Sequence, residues 1–166
     1  MKKITTKDIV SNALIAALYV VMTLITYPIS FLGIQFRFAE ILVLFCFFRK
    51  DYSIGLIIGC AIANLTSSIG LVDVGFGTLA TAIACGCIIF CKHLAIACIF
   101  PVVANAFIVG FELYQFLGLN FWISVGQVAI GEATVMIVAY IIYTLLKRKP
   151  KFYDLIGANQ NREFKW

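Results

Sequence analysis

Ile34-Gln35-Phe36-Arg37-Phe38-Ala39-Glu40 sets an amide, a guanidinium and a carboxylate between aromatic and aliphatic side chains, inside a chain that is otherwise almost continuously apolar. Ionisable groups in such surroundings cost about 2.5–3.5 kcal/mol each when a helix inserts into a bilayer, so they persist where they pair or bind something. The stretch therefore predicts a membrane-embedded chain with a small-molecule site inside it.

Composition agrees. Of the 166 residues, 63% are hydrophobic and 13% are charged, against about 25% charged in soluble domains. Mean hydropathy is +1.02. The six cysteines, Cys46, Cys60, Cys85, Cys87, Cys91 and Cys98, all lie in apolar runs, where a thiol behaves as a small hydrophobe. No disulfide framework is expected. Cys85, Cys87 and Cys91 share a segment but lack a second Cys or His group at zinc-like spacing, so neither a metal nor a cofactor is expected.

Breaks in the apolar runs divide the chain into six predicted helices, at 8–27, 36–49, 53–68, 74–92, 95–117 and 122–147. The second and third are short and are expected to be tilted, kinked or shielded by neighbours. The first has a basic start and an apolar core, as a signal peptide does, but it is long and no small-residue cleavage site follows, so it reads as a retained helix. The expected fold is an all-α membrane protein, a six-transmembrane-helix bundle over 1–148 with both termini cytoplasmic and a cytoplasmic basic tail over 149–166.

Orientation follows from the basic residues. Lys2, Lys3, Lys7, Arg49, Lys50, Lys92, Lys147, Arg148, Lys149, Lys151, Arg162 and Lys165 all fall on one face if six helices alternate in direction. The positive-inside rule makes that face cytoplasmic. Orientation thus accounts for the net charge of +5, which leaves little support for nucleic-acid binding. The basic residue on the opposite face is Arg37.

The remaining polar groups then gather in the outer half: Gln35, Arg37, Glu40, Asn64, Asp73, Asn105, Glu112, Gln127 and Glu132. Asn105 and Glu112 share a helix face, with Asn105 deeper. Phe36, Phe38, Phe76, Tyr114, Phe121 and Trp122 offer aromatic surface at the same level. Apolar walls with a few convergent polar groups describe a binding site open to the outside.

Structural roles compete at each position. Arg37 and Glu40, three apart on a helix, can neutralise one another. Trp122 and Tyr114 suit an interfacial aromatic belt, and Asn64 suits an interhelical hydrogen bond. Glu112 and Glu132 resist such accounts. Glu40, Asp73, Glu112 and Glu132 face a single arginine, so full internal pairing is impossible: some are protonated by desolvation, or a ligand supplies donors or charge. Small residues form two further stripes, Ala13-x-x-x-Ala17 on the first helix and Gly55, Gly59, Ala63 and Ser67 on the third, where helices approach closely or a partner protein docks.

The stretches Ala13 to Tyr19, Ile34 to Glu40, Asn64 through Asp73 to Thr81, Asn105 to Gly110 with Glu112, and Gly131-Glu132 resemble the QueT-type queuosine-precursor transporters, from about residue 8 to 147. These are substrate-binding S components of energy-coupling-factor importers. The resemblance implies a six-helix subunit that captures its solute on the outer side and works with a transmembrane coupling subunit and two cytoplasmic ATPases. It associates Ala13 and Ala17 with docking to the coupling subunit, and it implies a 7-deazaguanine base as substrate. Glu112 or Glu132 would then accept from the guanine-like edge, Asn105 or Gln35 would serve the carbonyl, and Glu40 or Asp73 would hold an aminomethyl cation, with the purine stacked on Phe76 or Trp122. The chain has no Gly-x-x-x-x-Gly-Lys-Ser/Thr loop, so the energy must come from partners or a gradient.

Nanomolar capture requires about 12 kcal/mol of binding energy. For so small a ligand this nears the per-atom ceiling, so a lid is expected. The Tyr27 to Gly33 connection and the Ser67 to Gly70 loop are the candidates. Two rival functions stand beside capture. An intramembrane enzyme needs a nucleophile with its base or metal ligands, and His93 falls far from the carboxylates. A self-sufficient proton-coupled carrier would use Glu112 and Glu132 as relays, and an S component for another vitamin-like solute would share the fold.

Overall fold

The computed structural model describes residues 5–27, 35–146 and 149–158. Seven helices follow one another there, with no strand among the described residues: α1 Thr6–Ile25, α2 Phe38–Phe48, α3 Tyr52–Asn64, α4 Leu71–Phe90, α5 Leu94–Leu117, α6 Phe121–Leu146 and α7 Pro150–Ile156. Four of them, α1, α4, α5 and α6, are long and apolar enough to cross a membrane. The expected all-helical membrane protein is present to that extent, while α2 and α3 are shorter apolar helices.

Thr5 and Asp8 start α1 as a capping box: the Thr5 hydroxyl accepts from the Asp8 backbone N–H at 3.3 Å, and Asp8 Oδ2 accepts from the Thr5 N–H at 2.9 Å. One face of α1 then lies against α3. Asn12 donates to the Asp8 carbonyl at 2.9 Å and accepts from the Gly55 N–H at 2.8 Å. Gly55 faces the Asn12 backbone, and a Cβ at Gly59 would stand 2.9 Å from the Ala16 carbonyl. Lipid tails are as apolar as leucine, so such small-residue contacts and interhelical hydrogen bonds specify helix pairing in a bilayer. The α3 stripe is used inside the fold, against Asn12 and Ala16. Ala13 and Ala17 point the other way and are exposed.

Helix α2 is the central element. It is a 3₁₀ helix over Phe38–Leu44 that passes into a short α-helical turn over Phe45–Phe48, touching α1, α3, α4 and α6. Ala39, Glu40, Leu42, Val43, Leu44, Cys46, Phe47 and Phe48 are all buried, so the neighbours do shield this short helix. A 3₁₀ helix rises about 2.0 Å per residue, which lets a short segment reach further through the bundle.

Other boundaries moved. Helix α3 ends at Asn64 rather than near 68, because Thr66 and Ser67 spend their hydroxyls on local backbone: Thr66 donates to the Ala63 carbonyl at 2.7 Å, and Ser67 accepts from the Ile69 N–H at 3.4 Å. Gly70, at φ 53°, then permits the reversal into α4 at Leu71, which puts Asp73 in the first turn of that helix. The sequence also placed no element after residue 147. There α7 folds back, with Phe152 and Ile156 buried in the main core and the Tyr52 hydroxyl donating to the Ile156 carbonyl at 2.7 Å. Arg49, expected as a loop charge, is buried at this end of the bundle, paired with Asp8 and, at 3.6 Å, with Asp51. All six cysteines are free thiols, five of them buried.

Candidate functional site

Arg37 stands just ahead of α2, at φ −82° and ψ 79°, outside the helical register. From there it reaches across the bundle to α3 and α4. Arg37 Nη2 donates to Asn64 Oδ1 at 2.7 Å and to the two Asp73 carboxylate oxygens at 3.3 and 3.4 Å. Asn64 closes the cluster by donating from Nδ2 to the Asp73 carbonyl at 3.0 Å. Gly77 leaves room for it: a Cβ there would lie 2.5 Å from Asn64 Nδ2, 2.9 Å from Asp73 Oδ1 and 3.2 Å from Arg37 Nη1. Asn64 thus fills the interhelical role open to it, and Asp73 is compensated.

Glu40 is fully buried. Its Oε1 accepts from the Tyr19 hydroxyl at 2.5 Å and from the Thr81 hydroxyl at 3.1 Å. Thr81 also meets Cys60 Sγ at 3.2 Å, and Asn64 Nδ2 lies 3.4 Å from the same sulfur. The polar side chains therefore run unbroken from Arg37 and Asp73, through α3 and α4, to α1. Tyr19, Cys60 and Thr81 are members of this chain that sequence reading missed, since single polar tips on apolar helices resemble ordinary packing.

Glu132 and Asn105 form a second pair between α5 and α6. Asn105 Nδ2 donates to Glu132 Oε1 at 3.3 Å and to the Pro101 carbonyl at 3.1 Å, while its Oδ1 is buried with no hydrogen-bond partner among the described residues. Gly131 lies against the backbone of Gln35, so closely that a Cβ could not be accommodated. The segment before α2 is in this way seated on α6 beside Glu132.

Gln35, Asp73 and Glu112 line a cavity of about 100 Å³, together with Ser67, Ser68, Ile69, Val109, Leu113, Leu117 and Leu119. The Ser67 to Gly70 turn, one of the two lid candidates, forms part of its wall. The other, Tyr27 to Gly33, lies outside the described residues from 28 onward. Glu112 has no exposed surface, and neither of its carboxylate oxygens has a hydrogen-bond partner among the described residues. Enclosed ligand sites commonly measure about 300–1,000 Å³, so admitting a bicyclic base requires these walls to move apart.

The aromatic residues stand apart from this cavity. Trp122 is 71% exposed, with its ring 5.0 Å from that of Phe121. Phe76 belongs to the same outer group, 5.7 Å from Phe116 and 6.1 Å from Phe111. Aromatic rings of this kind also suit a membrane–water interface. Neither Trp122 nor Phe76 lines the cavity, whose apolar walls are aliphatic. Glu40, Asn64, Asn105 and Glu132 lie outside its lining too, whereas Gln35, Asp73 and Glu112 are brought together in it and Arg37 stands behind Asp73.

The sequence model of a family described as QueT transporter matches residues 9–148. A protein of Lactococcus lactis subsp. cremoris (strain MG1363), named Queuosine precursor transporter QueT, is 36% identical over 167 aligned positions, covering 89% of this chain and 97% of that protein. No solved structure matches the chain.

Proposed function

The chain belongs to the QueT transporter family, and from that premise we propose that it is the substrate-capture subunit of an energy-coupling-factor importer, taking a 7-deazaguanine queuosine precursor at the outer face. The family consists of transporters rather than enzymes, and the apolar helices make this a multi-pass membrane protein. In the proposed arrangement α2 and α3 complete six crossings, and the end of the bundle that holds Arg49 and α7 faces the cytoplasm. A transmembrane coupling subunit and two ATPases supply the energy.

One observation carries the reading of the site. Among the four carboxylates, Asp73 has Arg37, Glu40 has Tyr19 and Thr81, and Glu132 has Asn105. Glu112 is buried in the cavity wall, and neither of its oxygens has a hydrogen-bond partner among the described residues. Leaving such a group unpaired costs free energy that a ligand with two adjacent N–H donors returns. The edge of a guanine-like base offers such a pair, and the Gln35 amide and the Ser67 and Ser68 hydroxyls can serve a carbonyl. Exposed Ala13 and Ala17 on α1 support a docking role for that stripe, because the internal partner of α1 uses Asn12 and Ala16 instead.

Uptake of a radiolabelled 7-deazaguanine base into vesicles tests the proposal, with the chain alone and with its coupling subunit and ATPases. Accumulation that needs both the partners and ATP is expected. Accumulation by the chain alone, driven by a proton gradient, would replace this reading with a self-sufficient carrier.

A further inference from the structure

We infer that Asn105 and Glu132 form a second subsite, two turns along α5 from Glu112, which receives a protonated primary amine on the same ligand whose paired N–H donors reach Glu112. The inference rests on the capture function proposed above and assigns the ligand's charged arm.

Three features lead there. The first is charge. A buried ammonium requires a carboxylate that is not already neutralised, which excludes Asp73, in an ion pair with Arg37, and leaves Glu132 and Glu40, whose Oε1 takes two neutral hydroxyl donors. Among the described residues Glu132 accepts one hydrogen bond, from a neutral amide at 3.3 Å. The second is acceptor geometry. Asn105, 1% exposed, touches Glu132 through Nδ2, and its Oδ1 is buried with no hydrogen-bond partner among the described residues, an acceptor that distinguishes Glu132 from Glu40. An ammonium has three donors and no acceptor, so an amide oxygen next to a carboxylate suits it.

The third feature is spacing. Asn105 and Glu112 lie on one face of α5 about 10.5 Å apart along the axis, at 1.5 Å per residue. Val109 sits between them on that face, buried and part of the cavity lining. The separation suits a fused bicyclic base with a donor edge at one end and a one-carbon amine arm at the other. Gln35 connects the two places: its side chain lines the cavity, and its backbone rests on Gly131 beside Glu132. Movement of this segment would join the small cavity to the deeper pair.

Calorimetry on the purified full-length chain with two probes of identical donor edge tests the assignment: 7-aminomethyl-7-deazaguanine, which carries a cation, and 7-cyano-7-deazaguanine, which does not. The wild-type chain should prefer the aminomethyl compound. Glu132→Gln should weaken that compound at least about tenfold and leave the cyano compound within about twofold. Glu112→Gln should weaken both. Equal weakening of both compounds by Glu132→Gln, or of neither, overturns the subsite. If Glu132→Gln no longer unfolds cooperatively, Asn105→Ser provides the comparison: the ratio of the two affinities must fall, and an unchanged ratio overturns the proposal. Failure of the capture reading looks different, with neither compound bound by the wild-type chain or neither affected by Glu112→Gln.

Discussion

Replacing Gly77 by alanine probes the Arg37–Asp73–Asn64 cluster without touching any of its charges. The added methyl would stand 2.5 Å from Asn64 Nδ2, 2.9 Å from Asp73 Oδ1 and 3.2 Å from Arg37 Nη1. Three polar atoms of one closed cluster converge on that point, so moving one away unpairs another. Disturbing a buried charge pair costs about 3–5 kcal/mol. Alanine's better helix propensity returns about 1 kcal/mol. The net expectation is a loss of about 2–4 kcal/mol. Gly75, one residue pair earlier on α4, has nothing within 4 Å of its built Cβ, so Gly75→Ala keeps the propensity gain alone and should be neutral or slightly stabilising. Unfolding of both variants in mixed micelles, titrated with a denaturing detergent and followed by circular dichroism, measures the difference. If Gly77→Ala unfolds at the same midpoint as Gly75→Ala, the cluster does not have the packing described.

Gly131→Ala should displace the Gln35 backbone and weaken 7-deazaguanine binding at least about tenfold while the helices still form; unchanged affinity would mean that the Gln35 seat is irrelevant to the ligand. Double replacement of exposed Ala13 and Ala17 by tryptophan should leave binding by the isolated chain intact and abolish co-purification with the coupling subunit. Binding lost together with co-purification would place the stripe inside the bundle instead. Cysteines introduced at Ile69 and Leu119, beside the cavity, should react with an impermeant reagent from outside the cell, whereas one at Asp51 should not; the reverse pattern would invert the topology.

The helical membrane character was legible because apolar runs and their interruptions are local features, and Glu112 was legible for a similar reason: a carboxylate within an apolar helix is visible without knowing its neighbours. The partners of Arg37 were not. Asn64 and Asp73 lie 27 and 36 residues away, and the nearer Glu40 offered a plausible local pair that drew attention from them. The hydrogen bonds of Glu40 to Tyr19 and Thr81 span 21 and 41 residues, so no periodicity announces them. The place of Trp122 and Phe76 outside the cavity was not legible, because an aromatic ring fits a stacking wall and an interfacial belt equally well from sequence. Helix α7 escaped notice because its apolar residues, Phe152 and Ile156, are too few and too widely spaced among charges to mark a helix until the Tyr52 hydroxyl and the core are seen to hold them.

Titration of the purified chain with a 7-deazaguanine base, wild type beside Glu112→Gln, addresses the central claim that an unpartnered buried carboxylate is the ligand's recognition point. The wild-type chain should bind one equivalent. The variant should bind at least about tenfold more weakly, since a charge-assisted hydrogen bond is lost. Its unfolding midpoint should be equal to or higher than that of the wild type, since a buried carboxyl with no partner among the described residues gives way to a neutral amide. Equal affinity in the two proteins, with both folded, would contradict the claim and leave Glu112 a structural residue.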